Sequence, residues 1–329
     1  MKYFPLLVAV ILFCFLGIGE ISLGTAPLSW AMVLHGLQAG PFSHDIPARI
    51  IWLLRVPRFF MAFMTGAILA AAGALLQGAT RNPLADPFLF GLSSGAAAGA
   101  VAVIIFLGDM FGIWTTALGA TVGAALSTLI LLFLVVLPRK PLTTDRMILC
   151  GLTVSFLFST LTSLMILWGD RNAAQSILFW TMGSFSAARW SALPVVALGL
   201  ICISVYGWKY RTDLDALLAG EETATSLGIH ITRLRISTLL VCAFSCALTV
   251  ALCGPIGFIG LIVPHLVRFR KHISLQRIFF PSLVAGGLLM VLADMLSRGV
   301  LASQEIPVGI IVGFLGACFM IVLVNSKER

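Results

Sequence analysis

Apolar runs of near-spanning length recur along this chain, separated by short polar connections. A helix needs about 20 mostly apolar residues to cross a bilayer, with a range of about 17 to 25. Ten runs meet that requirement: 4–24, 57–78, 88–107, 113–137, 144–168, 190–208, 236–253, 254–269, 280–300 and 307–324. A transmembrane barrel would instead alternate polar and apolar residues over segments of roughly ten. Composition points the same way. Of 329 residues, 60% are hydrophobic and only 10% charged, against about 25% charged in an ordinary soluble domain. So few ionic groups cannot cover a water-facing surface of this size. Disorder, a coiled coil and a disulfide-rich secreted scaffold are excluded with the soluble domain. The expectation is an all-α polytopic membrane protein with about ten transmembrane helices, forming one domain over 1–329.

The run Ile236–Val267 is too long for one span and suits two short ones, with Gly254, Pro255 and Gly257 supplying the break. Orientation follows from the placement of Lys and Arg, which favour cytoplasmic loops. With the N-terminus inside, the inner loops collect Arg81, Arg146, Lys209, Arg211, Arg233, Arg235, Arg268 and Arg277. They also collect Lys2, Arg139, Lys140, Arg270, Lys271, Lys327 and Arg329. The outer loops hold only Arg49, Arg55, Arg58, Arg171, Arg189 and Arg298. Both termini are therefore expected in the cytoplasm. The N-terminal run is close to spanning length and no clean A-x-A site follows it, so it reads as a span and not as a cleaved leader. The net charge of +8 lies between apolar runs and not in a patch, which argues against a nucleic-acid partner.

Several chemistries lack support. No G-x-x-x-x-G-K-[ST] string occurs, so ATP cannot be bound through a P-loop. Neither a nucleophile elbow nor a paired-carboxylate signature suggests an enzyme. The seven cysteines form no C-x-x-C, and the five histidines form no H-x-x-x-H; no metal site or resident cofactor is expected. Ion-coupled carriers need ionisable groups at membrane depth, and the spans are almost free of them, Asp294 being the main exception. Span five offers the hydroxyls of Thr153, Ser155, Ser159, Thr160, Thr162 and Ser163 instead. Such a pathway suits a large, partly apolar solute better than a bare cation.

Five stretches carry chemistry. Arg55-Val-Pro57-Arg58 opens span two on the outer side; both arginines share a face if helical, and they either snorkel to headgroups or receive a partner's carboxylates. Arg298 ends span nine and has Asp294 four residues earlier, the favoured order for an internal ion pair; it reads as that pair, as a docking residue, or as both. Arg81-Asn82-Pro83-Leu84-Ala85-Asp86-Pro87 makes a stiff inner turn. In the inner segment of about 212–235, Leu214, Leu217 and Leu218 fall at helical spacing. Gly220 then breaks the helix, and Glu221 and Glu222 open a second short one at the favourable end of its dipole. Gly228 closes it, and the two short amphipathic helices form a candidate docking element. Gly254 to His265 gives glycine spacing for close helix contact, with His265 expected as a packed or interfacial side chain.

Together these strings resemble the FecCD-type permeases, the membrane subunits of bacterial ABC importers for iron–siderophore complexes, haem and cobalamin. The resemblance rests on Arg55-Val-Pro-Arg58 and on Gln77 followed by Arg81-Asn82-Pro83-Leu-Ala-Asp-Pro87. It rests equally on Trp180-Thr-Met-Gly183-Ser184, Leu217-Leu218-Ala-Gly220-Glu221 and Gly254-Pro255-Ile-Gly257-Phe-Ile-Gly-Leu-Ile-Val-Pro264-His265. Asp294 with Arg298, and Glu305-Ile-Pro307-Val-Gly309, complete it. It implies the permease fold of type II ABC importers, a dimer of permease subunits, a cytoplasmic ATPase dimer that binds ATP and Mg, and an extracytoplasmic binding protein. It further implies that Arg55, Arg58 and Arg298 receive binding-protein carboxylates and that Leu217, Leu218, Gly220, Glu221, Glu222, Leu227 and Gly228 couple to the ATPase. Thr143 and Thr144 match the cytoplasmic gate. Placement is the inner membrane.

Overall fold

The computed structural model describes residues 4–24, 28–108, 110, 112–137, 143–268, 274–300 and 304–326. Seven of the basic residues used for orientation (Lys2, Arg139, Lys140, Arg270, Lys271, Lys327 and Arg329) lie outside these. Among the described residues the chain is helical throughout, with no strand. In order the helices are α1 (Phe4–Ser22), α2 (Trp30–Ala39), α3 (Ile46–Ile50), α4 (Val56–Thr80), α5 (Leu92–Phe106), α6 (Ile113–Val136) and α7 (Thr144–Ile166). Then come α8 (Arg171–Thr181), α9 (Leu193–Ala219), α10 (Glu221–Ser226), α11 (Ile231–Cys253), α12 (Ile259–Val267), α13 (Leu275–Gly299) and α14 (Val308–Ser326).

A helix stands at each of the ten expected spans. The stretches Ile46–Thr80, Trp114–Val136, Thr144–Ile166, Leu193–Ala219, Ile231–Cys253 and Leu275–Gly299 are long and apolar enough to cross a bilayer; Val8–Ser22, Leu92–Phe106 and Val308–Leu323 are shorter apolar helices. The eighth position differs from expectation. Helix α12 covers only Ile259–Val267, roughly 13 Å at 1.5 Å per residue, so it is half a span. Residues 254–258 before it are not helical, with Gly254 at φ 72° and Phe258 at φ 67°. Their irregular backbone is tolerable at membrane depth because it is buried in protein: a Cβ on Gly254 would meet the Trp180 carbonyl at 2.3 Å.

Two further corrections concern lengths. The sixth span runs eleven residues beyond position 208, to Ala219, because no Gly or Pro interrupts the chain between Gly207 and Gly220. Leu214, Leu217 and Leu218 therefore sit on the end of α9 and not on a separate short helix. Sequence reasoning also overlooked α8, whose N-terminus is capped by Asp170 Oδ1 accepting from Ala173 N at 2.7 Å. The Asp170-Arg-Asn start was the available signal.

Helix α4 is the central rod, buried along nearly all its length. It packs against α13 at backbone distance: a Cβ on Gly66 would lie 2.2 Å from the Gly286 carbonyl oxygen. Small residues permit such approach between helices in a bilayer. The rod has two differently equipped ends. The C-terminal parts of α1 and α13 meet the N-terminus of α4 at what we call the arginine end. The N-termini of α7, α11 and α13 and the C-terminus of α9 gather around the other end of α4, with α10 as a projecting hook.

Candidate functional site

At the arginine end, Arg58 grips Asp294 with two parallel bonds, Nε to Oδ2 at 2.8 Å and Nη2 to Oδ1 at 2.9 Å. Its remaining nitrogen, Nη1, donates to Glu305 Oε2 at 2.8 Å. Arg298 pairs with the Glu20 carboxylate through Nη2 and lies 3.6 Å from Asp294 through Nε. It also donates to the carbonyls of Leu23 (2.8 Å) and Glu20 (3.3 Å). Arg55 Nη1 donates to the carbonyls of Ile21 and Ser22, at 2.6 and 2.9 Å. Those carbonyls belong to the C-terminal turn of α1, where orphan acceptors are expected.

The three arginines are thus turned inward as well as gathered: Arg55 is 5% exposed, Arg58 9% and Arg298 6%. The arginine end is less positive than the sequence suggests, because Glu20, Asp294 and Glu305 offset three arginine charges locally. Glu20 is fully buried and was overlooked; a lone carboxylate near the end of the first apolar run was the signal. Burying such a charge costs several kcal/mol unless it is paired and hydrogen-bonded, which accounts for the density of contacts here. A cavity of about 450 Å³ opens beside the cluster, lined by Arg55, Arg58, Arg189, Arg298, Glu305 and Ser186 among others. Its charged rim suits an acidic ligand or peptide segment better than a cation.

At the hook end, Gly220 ends α9 at φ 149° and Gly228 ends the following turn at φ 79°, the breaks expected from sequence. Leu214 and Leu217 are fully buried and hold the base of the hook, with Leu218 partly buried. The tip exposes Glu222, Gly228 and Leu227, the last 66% exposed. Asp215 accepts from the backbone amides of Leu275 and Gln276, so the base of the hook also caps α13. Arg235 is 2% exposed; its Nη2 reaches Glu221 Oε1 at 2.8 Å and its Nε donates to the Ala79 carbonyl at 3.0 Å. Thr144 Oγ1 donates to the next carbonyl, Thr80, at 2.7 Å. Thr143 is exposed and caps α7 by accepting from Arg146 N.

A sequence profile described as the FecCD transport family matches residues 8–326. The chain belongs to the FecCD transport family. Among relatives of the family, it is 35% identical to a cobalamin import system permease protein, BtuC, of Halobacterium salinarum, covering 88% of this chain and 78% of that one. It is 31% identical to the hemin transport system permease protein HmuU of Yersinia pestis, over 97% and 95% of the two chains. A solved structure described as an inward-facing conformation of a metal-chelate type ABC transporter superposes with a TM-score of 0.85 at 29% identity, over 98% of this chain and 99% of that one.

The remaining family strings meet where helices break. Gly183, at φ 71°, lies against the Pro255 carbonyl, and Gly309 against that of Met182. Ser184 N donates to the Cys253 carbonyl at 2.8 Å. Three strings far apart in sequence thus share one backbone junction, with Pro307 just ahead of α14. Gln77 Nε2 donates to the Gly260 carbonyl at 3.2 Å and so fixes α12 to α4. Arg81 ends α4 in the left-handed region, at φ 52°. Asn82 Oδ1 accepts from Leu84 N at 2.9 Å, so Asn82 and Pro83 form the stiff turn expected. His265 stacks edge-on with Phe319 at 5.6 Å, beside Pro264 within α12. Gly257 lies near Phe88 in the non-helical segment.

Proposed function

We propose that this chain is the membrane-spanning permease subunit of a binding-protein-dependent ABC importer. It carries a large metal chelate (an iron–siderophore complex, haem or cobalamin) into the cytoplasm. The observation that carries this reading is the hook: a polar, exposed tip on a buried leucine base, bonded to the ends of three long helices. That is the form expected of an element that receives force from a soluble partner. The names of the cobalamin and hemin relatives support the cargo class. ATP and magnesium belong to the partner ATPase, and this chain is not itself an enzyme. Two copies form the pathway. The hook faces the cytoplasm, and the arginine end faces an acidic binding protein outside the inner membrane. The distribution of Lys and Arg supports that orientation, with both termini inside.

Co-purification tests the reading. The chain reconstituted alone should hydrolyse no ATP, and with its ATPase it should form a stable complex whose turnover rises when the binding protein is added. A chain that captures no ATPase through the hook would contradict it.

A further inference from the structure

We propose that Arg235 is a positioning residue that transmits movement of the hook to the first turn of α7. This rests on the reading above in one respect, that α10 receives an ATPase. Arg235 is among the largest fully buried side chains of the protein, and it carries a charge. A buried ion pair can usually be replaced by packed apolar groups at no cost in stability, or with a gain. Its partner Glu221 is half exposed, so the pair gains little from a low dielectric. Stability alone therefore explains this guanidinium poorly.

What the guanidinium does is join elements. One nitrogen holds Glu221 at the start of the hook helix, and another holds the Ala79 carbonyl. The next carbonyl along α4, that of Thr80, takes the Thr144 hydroxyl. The last carbonyls of a helix have no intrahelical partner, so these two are free to act as attachment points. They sit on consecutive residues of a rod that Arg81 terminates in a fixed left-handed turn. The series Glu221, Arg235, Ala79–Thr80, Thr144 therefore runs from the hook to the first turn of α7 through bonds of 2.8, 3.0 and 2.7 Å. Each bond is either made or broken, which gives the series discrete states. A displacement of α10 that pulls on Glu221 shifts the end of α4 and so the anchor of α7. Contiguity alone does not establish coupling, so the test must read the far end while the near end is driven.

The experiment is hydrogen exchange on the full complex of this chain with its ATPase in lipid nanodiscs, with and without ATP plus vanadate. Segments 221–227 and 143–150 are followed. In the wild type both should change with nucleotide. In Arg235→Met the change at 221–227 should persist and that at 143–150 should be lost. Arg235→Lys, which keeps the charge, should give the same loss, since an ammonium can reach one partner but not span both as a planar fork does. Thr144→Val, which alters only a partly buried hydroxyl, should give the same loss with the Glu221–Arg235 pair intact, and it carries the test if Arg235→Met folds poorly. An undiminished response at 143–150 in both variants would overturn the relay. A wild-type complex with no response at 221–227 would instead overturn the coupling role of the hook.

Discussion

Arg58 and Asp294, 236 positions apart in sequence, form a bidentate pair that closes the arginine end of the α4–α13 frame. Truncating Asp294 to Ala leaves two buried guanidinium groups without their shared carboxylate. Breaking a buried pair in this way costs about 3–5 kcal/mol. Glu305→Gln keeps a hydrogen-bond acceptor for Arg58 at a partly exposed position and should cost no more than about 1 kcal/mol. Thermal unfolding of both variants in one detergent should show a large loss for Asp294→Ala and little for Glu305→Gln. Equal losses would contradict the pairing scheme.

The same geometry bears on the proposed docking of a binding protein. Arg58 and Arg298 serve internal carboxylates, so reversing either mixes folding with recognition. Arg55 bonds main-chain carbonyls and lines the cavity, which makes it the cleaner probe. Arg55→Gln should slow association of an acidic binding protein and flatten its salt dependence, because rim charges act mainly on encounter rate. Glu305→Gln should speed association by removing a carboxylate that competes for Arg58. Stopped-flow rates at two ionic strengths check both, and unchanged rates at low salt would remove the arginines from the docking surface.

The proposed ATPase contact assigns different roles to the buried and the exposed leucines of the hook. Leu217 is buried at its base and Leu227 exposed at its tip. Leu217→Asp should lower the yield of folded protein, whereas Leu227→Asp should leave yield unchanged and abolish ATPase capture. Size-exclusion profiles with a pull-down on the same samples distinguish them. Retained capture in Leu227→Asp would place the contact elsewhere.

Asp86, in the loop between α4 and α5, is buried and caps the turn that follows by accepting from Phe88 N at 2.9 Å. Burial raises its carboxyl from 3.8 to about 6, opposed in part by that bond. An acid with a raised pKa in the folded state holds its proton longer there than in the unfolded chain. Its contribution to stability therefore falls as pH rises from about 4 to about 6, and is level above. Asparagine can make the same cap without ionising, so Asp86→Asn should gain stability at pH 7.5 relative to wild type and show a smaller difference at pH 4.5. Melting temperatures at the two pH values check this; a gain that is equal at both would contradict it.

Much of this architecture is legible in sequence because lipid demands continuous apolar helices and marks their ends with Gly, Pro and charge. The ten helix positions, the break at Gly254–Gly257, the turn at Arg81–Pro87 and the hook closed by Gly220 and Gly228 follow from those rules. Lengths and directions do not. Beyond Gly207 no Gly or Pro stops α9 before Gly220, and the polar residues from Lys209 onward read as a loop, so the extension of α9 to Ala219 was hidden. The half-helix α12 is as apolar as a full span, and sequence showed the break at Gly254–Gly257 but not that residues 254–258 stay non-helical, with the Pro255 carbonyl against Gly183. Arg55, Arg58 and Arg298 read the same whether their heads turn to water or to partners on α1 and α13. Arg235 looks like any loop cation until the carbonyl of Ala79 is seen beneath it.

The most direct test of the central claim, a permease powered by a separate ATPase through the hook, is the energy source of uptake. The chain, its ATPase and its binding protein are reconstituted in sealed vesicles and offered haemin, cyanocobalamin or a ferric siderophore. Uptake of one of these should appear only with ATP on the hook side, be blocked by vanadate, and persist when proton and sodium gradients are collapsed. Uptake driven by either gradient without nucleotide would contradict the account.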